Sequence, residues 1–282
     1  MSYAKTCGHD RRGKPVNDDE IRQIPKHVKT LSKESEYSHL GFNMVLSQLR
    51  NGILLPKYYN PDLEKDIRRY SKTQTFEITT IGELVKERII KVMRGNEVGS
   101  ENYGTGDVPF VRTSEIANWE IFADSTHCVS ESIYTEYKDR QKIQAEDILV
   151  INDGTYLMGR AAMVTDLDLK IVFQSHFRKI TVLRKDKLSP YLLLALLGLE
   201  VVQKQIESKS FRQGTISTLG NRLLEVKVPI PLDRKERGAI EEAVRKIIKD
   251  KRDAKEKAQS YEIMKKEENL MGIKNKAKLG NL

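Results

Sequence analysis

Near its C-terminus the chain carries seven residues at heptad spacing: Ile240, Val244, Ile247, Lys251, Ala254, Ala258 and Tyr261. The intervals alternate between four and three residues, which keeps all seven on one stripe of an α-helix. The flanking positions are dense in Lys, Arg, Glu and Asp. The pattern predicts one long helix over residues 233–268, with a narrow face suited to pairing with a second helix. The two alanines favour close approach. Lys251 is the polar exception, and such a residue on a seam sets register or partner at some cost in stability. The candidate partners are a second copy, another helix of this chain or another subunit. A solvated helix lying on its own domain is the competing reading.

The same segment holds much of the charge. Residues 234–282 contain 15 Lys plus Arg and 9 Asp plus Glu, a balance of +6 within a whole-chain +9. A basic surplus favours a polyanionic partner, because phosphates gain from cationic neighbours and release counterions. At 282 residues, the chain has room for one or two domains. No apolar run reaches the roughly 20 residues that cross a bilayer. The longest, Tyr191 to Val202, is interrupted by Glu200, and no segment of signal-peptide type opens the chain. A cytoplasmic location without membrane contact is expected. Cys7 and Cys128 lie far apart and neither belongs to a CxxC pair, so neither a disulfide nor a metal site is expected.

Four regions follow from local pattern. Residues 1–75 are polar and broken by Pro15, Pro25, Pro56 and Pro61. Residues 76–188 read as short strands with turns, 189–208 as a helix, and the tail 269–282, rich in Lys and Asn, as frayed. Strands are predicted at Phe76–Thr80 (followed by a helix at Ile81–Val85), Val108–Arg112, Asp147–Ile151, Ala161–Val164, Ile171–Phe173, Lys179–Leu183 and Val226–Ile230. A Gly-rich turn precedes Val108. Asn152-Asp153-Gly154 reads as another turn, since these residue types tolerate positive φ. The fold expected is α/β of the α+β kind: a mixed, irregular sheet followed by a long coiled-coil helix.

Catalytic patterns fail at named positions. Gly8 to Pro15 nearly matches G-x-x-x-x-G-K-[ST], but Pro15 replaces the hydroxyl that would ligate Mg²⁺. Gly104-Thr105-Gly106 lacks the third glycine of a dinucleotide fingerprint, because Pro109 stands there. No GxSxG, HExxH or DxDxDG pattern occurs. The N/D-P-P-Y/F tetrapeptide that holds the target amine in amino-methyltransferases is missing too. Its nearest string, Asn60-Pro61-Asp62-Leu63, lacks the second Pro and the aromatic. No catalytic residue is assigned.

Five stretches follow one another before the long helix: Val108–Ile116 (VPFVRTSEI), Ala145–Thr155 (AEDILVINDGT), Gln174–Phe177 (QSHF), Gln213–Ile216 (QGTI) and Val228–Pro231 (VPIP). This succession resembles the target recognition domain of type I restriction enzyme specificity subunits, which also occurs in type IIG methyltransferase–specificity fusions. The likeness covers residues 76–265. Thr6 to Gly13, followed by the acidic Asn17 to Glu20, resembles the tail of an N6-adenine DNA methyltransferase. The resemblance implies four parts: a methyltransferase-tail-like segment (1–75), a target recognition domain (76–232), a coiled-coil spacer and dimerisation helix (233–268) and a flexible basic tail (269–282). The chain then looks like the C-terminal part of a fusion, or a split or remnant gene of that layout. Complete type I specificity subunits resemble two such halves in tandem, so a half-subunit is expected to dimerise through the seam. The implied partners are double-stranded DNA, a DNA methyltransferase subunit and a restriction subunit. No cofactor is expected on this chain, and S-adenosylmethionine is expected on the partner methyltransferase.

Within that frame, loops after strands are the natural platform for reading DNA. Arg112, Thr113 and Ser114 follow a strand: Arg suits guanine, Thr and Ser suit phosphates or bases, and either hydroxyl also suits a helix cap. Tyr156 to Arg160 flank the Asn152 turn and suit the DNA backbone. Ser175, His176 and Arg178 offer several hydrogen-bonding groups, although a lone His is often an internal, satisfied residue. Lys209 and Arg212 are phosphate candidates, with Gln213 beside them. Two other readings remain open at this stage. One is a C-terminal fragment of a fused adenine methyltransferase. The other is a coiled-coil assembly protein with no DNA role.

Overall fold

The computed structural model describes residues 10, 14–17, 21–25, 37–38, 41–44, 46–50, 52–122, 125–154, 157–213 and 215–279, with the side chains of residues 37–38, 213 and 262–279 outside that description. The stretches read as a phosphate loop and as a methyltransferase tail fall largely outside it, as do Cys7 and Tyr156. In chain order the strands are β1 (Tyr37–Ser38), β2 (Gly41–Phe42), β3 (Phe76–Thr80), β4 (Ile90–Arg94), β5 (Phe110–Val111), β6 (Ile116–Ala117), β7 (Glu120–Ile121), β8 (Ile148–Ile151), β9 (Asp153–Gly154), β10 (Ala161–Met163), β11 (Val172–Phe173), β12 (Phe177–Val182), β13 (Phe211–Gln213), β14 (Ile216–Thr218) and β15 (Lys227–Pro231). The helices of six residues or more are α1 (Pro61–Lys72), α2 (Ile81–Lys86), α3 (Glu131–Gln141), α4 (Pro190–Leu197), α5 (Glu200–Lys209) and α6 (Arg234–Leu279).

An antiparallel sheet in the order β10-β8-β12-β4 holds the centre. All four residues of β8 are buried, because both faces of the sheet are covered. Ile148 and Val150 face the main core with α4, α5 and the start of α6, whereas Leu149 and Ile151 face a second core with Val111, Phe173 and Phe177. This is why the sequence shows an unbroken apolar run there and no alternation. β5 and β11 form a parallel pair beside that second core, and β15 pairs with β3 from Lys227↔Thr80 to Pro231↔Phe76. Pro229 and Pro231 are tolerated because this sheet has only two strands. Thr80 closes β3 and caps α2 through a reciprocal capping box with Glu83.

Several boundaries differ from expectation. Pro61, read as a breaker, opens α1 at its first position after the Asn60 cap, where the missing N–H costs nothing. α3 lies within the stretch read as strands; Ser130 caps it and Lys142, at φ 43°, ends it. The predicted helix 189–208 is two helices that part at Gly198-Leu199. Asn152-Asp153-Gly154 is not a positive-φ turn. All three lie outside the left-handed region, and Asp153–Gly154 pair with Thr218 and Ser217. Gly104, at φ 72°, is a turn as expected.

The helix α6 runs to Leu279, beyond the predicted end at residue 268, and about 70 Å at the usual rise for its 46 residues. Its inner face is offset from the predicted seam. Ile240, Val244 and Ile248 pack into the main core, and Arg245 lies 4.1 Å from the centre of the Tyr191 ring. Farther along, the contacts become ionic. Arg252 chelates Asp166 at 2.9 and 2.6 Å, Lys255 binds Asp168 at 2.5 Å and the Ile121 carbonyl at 2.6 Å, and Lys251 stands 3.7 Å from Glu120. Lys251 therefore meets an acidic group of its own domain. Ile247, Ala254, Ala258 and Tyr261 remain exposed, so the predicted seam is divided between two faces.

Hydrogen bonds from Arg252 hold the Asp166 carboxyl below its ordinary value of 3.8. A depressed carboxylate contributes stability above that value and loses it as pH falls through the lowered one. The Arg252–Asp166 contact is expected to survive mild acid and open only below pH 3.8. The NMR signals of the Arg252 guanidinium report this directly; a transition at or above the ordinary carboxylate value would contradict it.

Candidate nucleic-acid interface

Because the central strands alternate in direction, four of their ends line one edge of the sheet. Arg160 precedes β10, Asn152 and Asp153 follow β8, Ser175 to Arg178 lead into β12, and Arg94 ends β4. The three-stranded sheet β13-β14-β9 continues the same edge, because Asp153 pairs with Thr218 and Ser217 pairs with Arg212. The edge thus collects Arg160, Ser175, His176, Arg178 and Arg212, which the sequence had placed in three separate loops.

The centre of this edge is a tight polar knot. The backbone N–H groups of Asn152 and Asp153 both donate to the His176 carbonyl, at 2.9 and 3.1 Å. Asp153 Oδ1 accepts from Asn152 Nδ2 at 3.2 Å and from the Thr218 hydroxyl. Its Oδ2 lies 4.0 Å from His176 Nδ1. Asn152 Oδ1 and His176 Nδ1 are buried without a hydrogen-bond partner. His176 is therefore not the satisfied internal histidine considered from sequence. Ser175 is buried, with its hydroxyl donating to Glu97 and its carbonyl accepting from Arg94 Nε at 3.2 Å.

Arg178 is half-buried and stands directly across the ladder from Arg94. Burial lowers its pKa from the usual arginine value, Asp153 opposes that shift and Arg94 adds to it. Among the described residues, Arg94, Arg160, Arg178 and Arg212 have no carboxylate within the 4.0 Å of an ion pair, and the exposed Arg160 and Arg212 point to no internal counter-charge.

Two other candidates are committed internally. Arg112 Nε donates to the buried Glu115 at 2.9 Å, and burial raises the Glu115 carboxyl against the pull of Arg112. Thr113 and Ser114 lie in a single 3-10 turn that Glu115, not a hydroxyl, ties to the Arg112 backbone. That corrects the expected hydroxyl cap. Lys209 binds Glu225 at 3.2 Å, lies 4.3 Å from the centre of the Tyr58 ring, and is lowered by burial with Glu225 opposing. The Arg112 turn still borders the edge, because Gln174 N–H donates to the Val111 carbonyl at 3.0 Å. Gln213 takes its place on β13 through its backbone.

Sequence reading missed Arg94, Asp153 and Thr218. The signal for this strand was partial: Ile90, Lys91 and Val92 alternate, Met93 and Arg94 break the pattern, and Gly95-Asn96 marks the end. Gly95 itself is dictated by packing, since a Cβ there would stand 2.1 Å from the Gln174 carbonyl oxygen. Among the described residues, no group of three or more His, Cys, Asp or Glu is placed to hold a metal ion, and no helix is long and apolar enough to cross a membrane.

The chain thus combines a four-stranded sheet, with loops gathered at one end, and a long C-terminal helix. The family model for the type I restriction modification DNA specificity domain matches residues 70–264. The chain belongs to that family. Among solved structures, it is similar to the S subunit of a type I restriction-modification system from M. genitalium (16% identity, TM-score 0.41, covering 60% of this chain and 37% of that one). It is similar also to the HsdS subunit from Thermoanaerobacter tengcongensis (14% identity, TM-score 0.38, 72% and 48%). A third is the type IIG restriction endonuclease BpuSI (13% identity, TM-score 0.46, 82% and 34%). The chain spans less than half the length of each of these three. No curated protein matches it.

Proposed function

We propose that this chain reads double-stranded DNA for a partner N6-adenine methyltransferase, and for a restriction subunit where one is present, without catalysing a reaction itself. The observation that carries this reading is the edge of unpaired arginines, Arg94, Arg160, Arg178 and Arg212, within a DNA specificity domain. Guanidinium groups with no carboxylate at ion-pair distance match phosphates and guanine edges. Arg112 and Lys209 then act as struts for the loops, each held by a carboxylate. The chemistry and the S-adenosylmethionine reside on the partner. Duplex binding is expected to weaken steeply with salt, with a log–log slope of about −0.9 for each phosphate neutralised. Selection from randomised duplexes is expected to enrich one short motif. Undetectable binding at low salt, with the methyltransferase present, refutes the reading.

We infer also that α6 pairs with a second copy through its outer face. Ala239, Ala243, Ile247, Ala254, Ala258 and Tyr261 are exposed there at helical spacing, and small residues permit close approach. Ile240 and Val244 are spent inside the domain, so this face is rotated from the predicted seam. Sedimentation equilibrium is expected to give a dimer for the natural chain and a monomer for Ile247→Asp. An unchanged mass for the variant removes this face from the interface.

A further inference from the structure

The pairing of Arg94 with Arg178 departs from what a sheet tolerates for stability alone. Like charges directly opposite one another on neighbouring strands are unfavourable. Here the two arginines are register partners, Arg178 is half-buried, and no carboxylate among the described residues sits within ion-pair distance of either. Among the described residues, the one hydrogen bond from the Arg178 guanidinium is a long one, from Nη1 to the Phe177 carbonyl at 3.4 Å. Most of its donors are therefore free, while its stem is fixed within a four-stranded sheet. Breaking a local rule without an internal gain marks a functional position.

The surroundings decide which acceptor fits. Asp153 follows the strand beside Arg178 and acts on its charge, and among the described residues its Oδ2 has no hydrogen bond. Asn152 Oδ1 and His176 Nδ1 are buried and unpartnered beside it. A phosphate would meet the Asp153 carboxylate as a repulsive neighbour. A base pair would not, because its major-groove edge presents acceptors and donors side by side. Guanine offers O6 and N7 to a guanidinium fork, and its cytosine offers an N4 amino group to a carboxylate. We propose that Arg178, set by Asp153 and Arg94, reads a guanine of the target in the major groove, with Asp153 accepting from the paired cytosine. This assignment rests on the DNA-reading function proposed above.

Parallel selections from randomised duplexes at one salt concentration test it, using the full chain and its Arg178→Lys and Arg178→Gln variants. A single guanine fork contributes about tenfold to a hundredfold discrimination over other bases. Arg178→Lys keeps the charge and loses the fork. It is expected to keep the salt slope and the affinity for non-target duplex while binding the natural motif about tenfold to a hundredfold more weakly and losing preference at one G·C position. Arg178→Gln is expected to lose preference at the same position, and Asp153→Asn to weaken it. If the natural chain selects a motif and Arg178→Lys selects the same motif with the same strength, Arg178 does not read a base. A uniform affinity loss across sequences, with a shallower salt slope in Arg178→Gln, assigns Arg178 to a phosphate and overturns the proposal while leaving the DNA-reading function intact. A natural chain that, with the methyltransferase present, binds no duplex or binds without sequence preference removes both. Melting temperatures of the variants within a few degrees of the natural chain show that the comparison concerns folded protein.

Discussion

Asp147→Ala is expected to destabilise the recognition domain by about 3–5 kcal/mol, the range for breaking a buried ion pair from one side. Asp147 is 1% exposed and Lys179 is 2% exposed. The Lys179 ammonium binds Asp147 Oδ2 at 2.7 Å and the Lys142 carbonyl at 2.7 Å. The carboxylate also accepts from the Thr181 hydroxyl and from Gln144 N–H at 3.0 Å. Truncating Asp147 leaves an ammonium ion in the interior with one carbonyl for company. Replacing both partners together, as Asp147→Leu with Lys179→Met, is expected to recover most of the loss, because neither charge is then desolvated. Urea unfolding of both single variants and the double one measures this. A single-variant loss below about 1 kcal/mol, the level of an exposed pair, would show that the pair does not hold the domain together.

Val244→Asp is expected to detach α6 from the domain. Val244 is 5% exposed in the main core, between Ile240 and Ile248. A carboxylate there would be set among the apolar side chains of the main core, and the cost of burying it is about 3 kcal/mol or more. Of the ionic contacts farther along, Arg252–Asp166 is solvent-facing on the Asp166 side, and exposed pairs contribute about 0–1 kcal/mol each, whereas Lys255 reaches the buried Asp168 and is the competing anchor. The recognition sheet lies on the other side of the break and is expected to remain folded. X-ray scattering should then report a larger radius of gyration at unchanged mass, while far-ultraviolet circular dichroism changes little. An unchanged radius would place the anchor in the Arg252 and Lys255 contacts instead.

How much of this was legible in sequence depended on the range of the interactions involved. The β3–α2 junction was legible because Thr80 and Glu83 form a local capping box. β8 was legible because a strand covered on both faces must be apolar throughout. α1 was missed since Pro61 reads as a breaker until its position at a helix start is known. α3 was missed because its apolar residues, Ile133, Tyr134 and Tyr137, are sparse and only partly buried against the small core around Phe110. The gathering of residues 175–178 and 212 at one end of the sheet was not legible, because it depends on strand pairing. Arg112, Lys209 and Arg212 looked alike in sequence, and only the fold shows that the first two have carboxylate partners. Glu115 is close in sequence, whereas Glu225 is 16 residues from Lys209 and meets it only in the fold.

The long helix shows the same division. Heptad spacing by itself determined that residues near 234–261 form a helix with an apolar stripe, since that depends only on a period close to 3.6 residues. It could not determine which way the stripe faces. The choice was made by Ile248, one residue off the seam, and by Glu120, Asp166 and Asp168, which lie more than 80 residues earlier and draw Lys251, Arg252 and Lys255 onto the domain. Long-range charge and apolar burial rotated the helix, leaving the outer residues of the predicted seam free for a partner.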